Sequence, residues 1–325
     1  MNRKNFWSFA LATGRPPANS ALNAIHRQVS GLLGALMGLI ITIGLTPGAH
    51  AENPSTKQAQ VPNPWPAIIQ QADERGLPTT FLKHIDPNFV TVIFEDLRTY
   101  AAEYHPPEHR MILNMRHSFN QAGGSLADLG RMTHHDLGLL YHELFHAYLD
   151  FIFSAPDPKA LPPEAQRLLA FANEQLTCHF RFVRINPIRQ RKSATELRFL
   201  SNEDAWEVLN ETWAVFVGWA IWTKLELFPD KLGTAQWSPN LLQEWSNRLQ
   251  QANQSGELLG YYEPDDPEER RVARKRFIAP SNGLTPKGVE LLLADILEEP
   301  PELIHASTPI IEQSLASAEP PPSCE

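Results

Sequence analysis

"THHDLGLLYHELFHAYLDFIF" (residues 133–153) is the stretch on which the fold of this chain turns. Leu137, Leu140, Leu144 and Tyr148 recur at helical spacing, and Phe145, Leu149 and Phe153 widen that apolar stripe sideways. Thr133 stands where an N-cap belongs, and Asp136, three residues on, completes a capping-box pattern. No proline or glycine interrupts residues 139–154. The pattern predicts a helix over 133–153, which places His142 and His146 one turn apart on a single face.

Two neutral imidazoles at that spacing can each give one nitrogen to a single Zn²⁺, at about 2.0–2.1 Å. Glu143 lies beside them and can reach a water on an open metal position. A zinc-bound water has its pKa lowered towards neutrality, and a carboxylate of this kind can take its proton as it attacks a carbonyl. Five-residue patterns also arise by chance, mostly on polar surface helices. Here the pattern lies inside an apolar, capped helix, where two unpartnered histidines and a glutamate would be costly. The chain holds two cysteines, Cys178 and Cys324, so a Cys-rich zinc site is excluded and a metal must use histidine and carboxylate.

A third ligand is offered by "SNEDAWEVLNETWAVFVGWAIW" (201–222), where Glu203, Glu207 and Glu211 recur every four residues. Beyond Glu211 the run is almost wholly apolar and too short for a membrane span, which predicts a buried helix. Glu211 at its edge is the carboxylate that most needs a positive partner. Glu207, one turn earlier, reads as an exposed helix glutamate, as a group that orients a ligand histidine from behind, or as the ligand in place of Glu211. Asp150, one turn after His146, is a candidate for the same orienting role. Glu203 reads as a solvated or capping residue near the polar start of the helix.

Outward from these helices, "VTVIF" (90–94) and "RMILNMR" (110–116) are predicted strands. Further helices are predicted over 163–184, 196–226, 239–254 and 286–298. Strands come early and helices late, so the fold class is α+β. Four basic and no acidic residues fall within the first 51 of a chain whose net charge is −9, leaving −13 on the rest. That acidic body argues against nucleic acid as a partner. "RRVARKR" (270–276) follows acidic "EPDDPEE" (263–269) and reads as a solvated helix charged to suit its dipole.

Residues 1–51 read as a secretory signal peptide: a basic opening, an uncharged run at 31–45, and Ala49-His50-Ala51 as cleavage site. The competing reading is an uncleaved anchor, but fifteen apolar residues fall short of the ~18–20 that span a bilayer. The expectation is export to a periplasmic or secreted location, with no stable membrane insertion after cleavage. That compartment permits one optional bridge, Cys178 to Cys324. Residues 52–66 form a Pro-rich lead-in, 67–300 the folded domain, and 301–325 an expected unstructured tail.

"HELFH" (142–146) followed by a helical "LNETWAVF" (209–216) resembles the gluzincin branch of the zincin metallopeptidases, whose third ligand sits in an Asn-Glu-x-x-Ala pattern matched by Asn210, Glu211 and Ala214. The resemblance implies a zincin-like α+β fold: a small N-terminal sheet whose edge strand overlies the active-site helix, a mainly helical C-terminal part, and a cleft between about 67–154 and 155–300. It implies one Zn²⁺ per chain on His142, His146 and Glu211, with Glu143 as catalytic base. A peptide or protein substrate would add to an edge strand within "YHPPEHRMILNMRHS" (104–118). Tyr261 or Tyr262 would face the oxyanion. Two departures stand out. The gap between His146 and Glu211 is longer than in many gluzincins, and Val215 stands where some of them carry an aspartate.

Two other classes compete. One is a non-catalytic envelope protein with a structural or vestigial zinc site. The other is a ferritin-like di-metal protein, since Glu143-x-x-His146 and Glu302-x-x-His305 are both ExxH patterns. The second pattern follows two prolines beside the tail, which is a poor setting for a bundle helix.

Overall fold

Helix α1 (Trp65–Glu74) buries Trp65, Ile68 and Ala72 at helical spacing. It is the first element in a computed structural model that describes residues 63–98, 100–119, 125–186, 196–229 and 236–316. The helix starts inside the lead-in expected to run to residue 66, because Trp65 is fully buried and draws the chain into the core. The expected signal peptide and Cys324 of the optional bridge lie outside the described residues. After the short α2 (Thr80–Lys83) come β1 (Thr91–Glu95), β2 (Ala102–His105) and β3 (Arg110–Asn114).

These strands form one sheet in the order β1-β3-β2, with β3 parallel to β1 and antiparallel to β2. The strand nearest in sequence to the histidine helix is therefore central, not the edge expected within 104–118. The chain leaves β1, forms the edge with β2, turns back through Pro106–Glu108, and inserts β3 between them. The edge that packs on the histidine helix is β2.

Helix α3 (His134–Phe153) carries the predicted capping box in full: the Asp136 amide donates to Thr133 and the Thr133 amide to the Asp136 carboxylate. Helix α4 (Pro163–Thr177) ends earlier than expected. The following residues form β4 (Phe182–Ile185), paired antiparallel with β5 (Glu196–Phe199). Residues 182–185 and 196–199 thus belong to a hairpin, not to the ends of two helices. Ser201, which caps α5 (Asn202–Leu227) through the Asp204 amide, sets the true helix start.

The chain continues with α6 (Pro239–Ser255), β6 (Tyr261–Tyr262), α7 (Pro267–Val272), β7 (Arg276–Phe277) and α8 (Pro286–Leu291), the last running into one π-helical turn. Helix α9 (Pro301–Ala316) occupies most of the expected unstructured tail. Leu303, Ser307 and Ile311, four apart, are buried, and Trp245 of α6 donates its indole N–H to Ser307 at 2.9 Å. A four-residue recurrence of buried positions outweighed the Pro- and Ser-rich composition there.

The core is the packing of α3 on α5. Trp213, Phe216 and Trp219 are fully buried, each such side chain contributing about 1.5–3 kcal/mol or more. The two backbones approach closely at Gly138, where a Cβ would stand 2.9 Å from the Gly218 carbonyl oxygen. The fold is mixed α and β, mainly helical, with small sheets. Among the described residues no helix is long and apolar enough to cross a membrane.

Candidate metal centre

The close α3–α5 contact brings His142, His146 and Glu211 together, although 65 residues separate His146 from Glu211. Their ligand atoms all lie within 4.8 Å of one another, the only such group of three donors among the described residues. His142 Nε2 and His146 Nε2 stand 3.0 Å apart, and each lies 3.6 Å from an oxygen of Glu211. Four ligands around zinc at its usual bond lengths would sit roughly 3.3 Å from one another, so the three separations suit that ion. Glu211 Oε2 is buried with no hydrogen-bond partner, the condition of a carboxylate arranged for a cation.

The Asn-Glu-x-x-Ala pattern has a physical basis here. Asn210 Oδ1 accepts from His146 Nδ1 at 2.8 Å, which leaves Nε2 to face the centre. The Ala214 backbone lies beside the ring of His142. One turn of α5 thus supplies the carboxylate and orients His146. Burial pushes His142 well below the ordinary histidine range, and His146 beside it adds to the effect, so the ring is neutral as a ligand must be.

Glu143 sits beside the triad, Oε1 being 3.9 Å from His142 Nε2. Its Oε2 accepts the Tyr104 amide N–H of β2 at 2.8 Å. Burial raises the carboxyl well above its usual range, and the Glu211 charge raises it further. A carboxylate shifted upward in this way is the stronger base.

The remaining predicted residues divide. Asp150 does not orient a ligand histidine. Its Oδ2 accepts from the Tyr104 hydroxyl at 2.5 Å and from His109 Nδ1 at 2.7 Å, while Oδ1 accepts from Ser154 at 3.2 Å. Tyr104 is therefore held twice by α3, through its amide at Glu143 and its phenol at Asp150. Glu207 accepts the Glu263 amide N–H at 3.0 Å and anchors the β6–β7 hairpin instead of joining the triad. Burial lifts its carboxyl to about 8.

Tyr261 is brought to the centre and Tyr262 is not. The Tyr261 side chain lies beside Glu211 within hydrogen-bonding reach, whereas the Tyr262 hydroxyl faces Arg198 at 3.4 Å. Glu203 is exposed near the start of α5. Glu302 and His305 are exposed on α9, so the second ExxH pattern gathers no donors among the described residues.

Lys275 was missed. The cluster 270–276 is not one solvated helix: α7 ends at Val272, and the next three basic residues diverge. Arg274 pairs with Glu263, Arg276 is buried between Glu196 and Glu269, and Lys275 places its ammonium 3.8 Å above the Tyr261 ring. Nothing in the spacing of "RRVARKR" separates these fates. A surface hollow lined by Arg116, His117, Asp128 and Arg131 lies near the start of α3, apart from the triad, and contributes no residue to it.

Comparison with protein-family models, with curated proteins and with solved structures finds no match for this chain.

Proposed function

We propose that the protein is a zinc metallopeptidase that cleaves peptide or protein substrates. The observation that carries this reading is the conjunction of a His₂Glu donor set, in which burial keeps His142 neutral, with a separate, basic carboxylate beside it, Glu143, which is held by a backbone amide and not by the donors. Zinc bound there would lower the pKa of a coordinated water and polarise a substrate carbonyl.

The chain's own residues supply the rest. Asn210 fixes the His146 imidazole. Glu143 Oε1 is the oxygen turned towards the His142 nitrogen and positioned to take a proton, while Oε2 stays anchored on β2. The Tyr104 amide points out of the sheet towards Glu143, and strand alternation turns the Ala102 N–H and C=O to the same side. A substrate strand could pair there. Tyr261 stands where its hydroxyl can donate to an oxyanion. This zincin-like use of an edge strand and a histidine helix is part of the proposal, as is export from the cytoplasm.

Glu143→Gln tests it. The amide keeps an oxygen for the Tyr104 N–H, so the protein should still bind one zinc per chain while hydrolysis of a mixed peptide pool falls by about 10²–10⁴. A wild type that holds zinc yet cuts nothing in that pool would favour a non-catalytic envelope protein. Loss of metal in Glu143→Gln would instead make this residue a ligand, as in a di-metal carboxylate site.

A further inference from the structure

We infer that Lys275 binds a carboxylate of the substrate beside the metal centre, an inference that rests on the peptidase reading above. Lys275 precedes β7 immediately, and its place is set from both sides. Arg276 is 4% exposed, and its guanidinium is tied to Glu196 and Glu269; Arg274 is tied to Glu263, whose amide is in turn held by Glu207. At Gly260, next to β6, an added Cβ would come within 2.0 Å of Thr212 Oγ1, so the hairpin sits directly on α5 one residue from Glu211. The lysine between the two tied arginines is therefore held by a rigid frame, which is what a recognition group needs.

What the lysine lacks is a counter-charge. Among the described residues no carboxylate comes within ion-pair distance of its ammonium, which rests instead on the face of Tyr261. Tyr261 is the residue that reaches Glu211, so the ammonium lies next to the centre and within electrostatic range of His142 and Glu143. A divalent ion in the donor set would engage Glu211, and among the described residues no carboxylate touches the Lys275 ammonium. An ammonium held on an aromatic face without a contacting carboxylate, flanked by satisfied ion pairs, fits an arriving anion. On a peptide that anion is either the C-terminal carboxylate or an acidic side chain.

Three versions of one cleavable peptide distinguish the sources: a free C-terminal acid with no acidic side chain, its C-terminal amide, and that amide carrying a single glutamate. The zinc-loaded full chain should show KM lower by about 10-fold or more for one of the two carboxylate-bearing forms than for the neutral amide. Lys275→Met should erase that difference, and Lys275→Arg should restore part of it. Titration calorimetry of the same three peptides with Glu143→Gln protein gives a readout independent of cleavage. A preference for the carboxylate that disappears in the Glu143→Gln/Lys275→Met double variant supports the inference even if no peptide is ever cut. Equal KM and equal binding for all three forms would overturn it and leave the peptidase reading intact. An equal fall in kcat on all three in Lys275→Met would also overturn it, by placing the ammonium at the reacting carbonyl.

Discussion

β2 and the β6–β7 hairpin flank the same three donors, but they do so with different parts of the chain. β2 packs on α3 and touches the centre through its backbone, the Tyr104 N–H at Glu143. The hairpin packs on α5 and acts through side chains, Tyr261 beside Glu211 and Lys275 above Tyr261. A backbone contact depends on strand register and tolerates many sequences; a side-chain contact depends on the residue. The first flank should therefore respond to anything that moves the strand, and the second to substitutions at single positions. The helix pair between them should decide whether metal is held at all.

The largest expected effect separates that helix pair from the hairpin. Glu211 and Glu207 are one turn apart on α5, yet Glu211 is a donor and Glu207 holds the Glu263 amide. Glu211→Ala should lose most bound zinc after dialysis at neutral pH. Glu207→Ala should keep the metal while turnover falls, on the order of 10–100-fold, as its anchoring of the hairpin is lost. If Glu207→Ala empties the site while Glu211→Ala stays loaded, Glu207 belongs to the centre and Glu211 to the flank.

The same contrast explains what could be read from the sequence. His142, Glu143 and His146 were legible because one helix presents them, and helical spacing fixes which residues share a face. Glu211 was legible because a carboxylate at the edge of an apolar run must find a partner. Glu207 and Asp150 were found as candidates but given the wrong neighbours. The partner of each lies on a strand or strand flank, and the pairing of those segments is a long-range outcome with no local signature. The order β1-β3-β2 was hidden for the same reason, since sequence order suggests the last strand as the edge. Strands of two residues, β6 and β7, have too few positions to show alternation, so Lys275 was indistinguishable from the basic residues around it. Helix α9 was missed because composition was weighed above the four-residue recurrence of Leu303, Ser307 and Ile311.

A matched pair of substitutions sharpens the comparison between the flanks. Tyr104→Phe removes the hydroxyl that donates to Asp150 while leaving the amide at Glu143. A hydrogen bond to a charged group is worth about 1.5–3 kcal/mol, and the variant should lose that much stability or somewhat less, since His109 and Ser154 remain on Asp150. Gly260→Ala forces a Cβ against Thr212 and should cost about 1–3 kcal/mol by overpacking. Denaturant midpoints measure both losses, and hydrogen exchange locates them. Exchange should rise in β2 for Tyr104→Phe and in 261–277 for Gly260→Ala, with zinc retained by both. Increased exchange of both flanks in either variant would show that they move as one unit.

The smallest effect concerns the footing of the hairpin under acid. β7 is continued by Ile278, which bridges to Ile185 of β4, and beneath that bridge Asn282 accepts the Arg184 amide and donates to the His179 carbonyl. The His179 ring bonds the Gly283 carbonyl oxygen through Nε2 at 2.9 Å, and burial lowers its pKa below the ordinary 6.5. The unfolded chain therefore binds a proton at higher pH than the folded one does. The stability contributed by neutral His179 is fully present above pH 6.5 and is lost as pH falls from there towards the folded pKa. One group sets a ceiling of roughly 1.4 kcal/mol per pH unit on that slope. His117 and His142 are shifted in the same direction, so the wild-type slope alone does not isolate His179. His179→Gln does, because its amide can still donate to Gly283 while no longer titrating. Urea unfolding at pH 7.5 and 5.5 should show a shallower loss of stability in His179→Gln than in the wild type, and exchange in 261–283 should rise less on acidification. Identical pH slopes in the two proteins would mean that this ring takes up its proton without disturbing the hairpin.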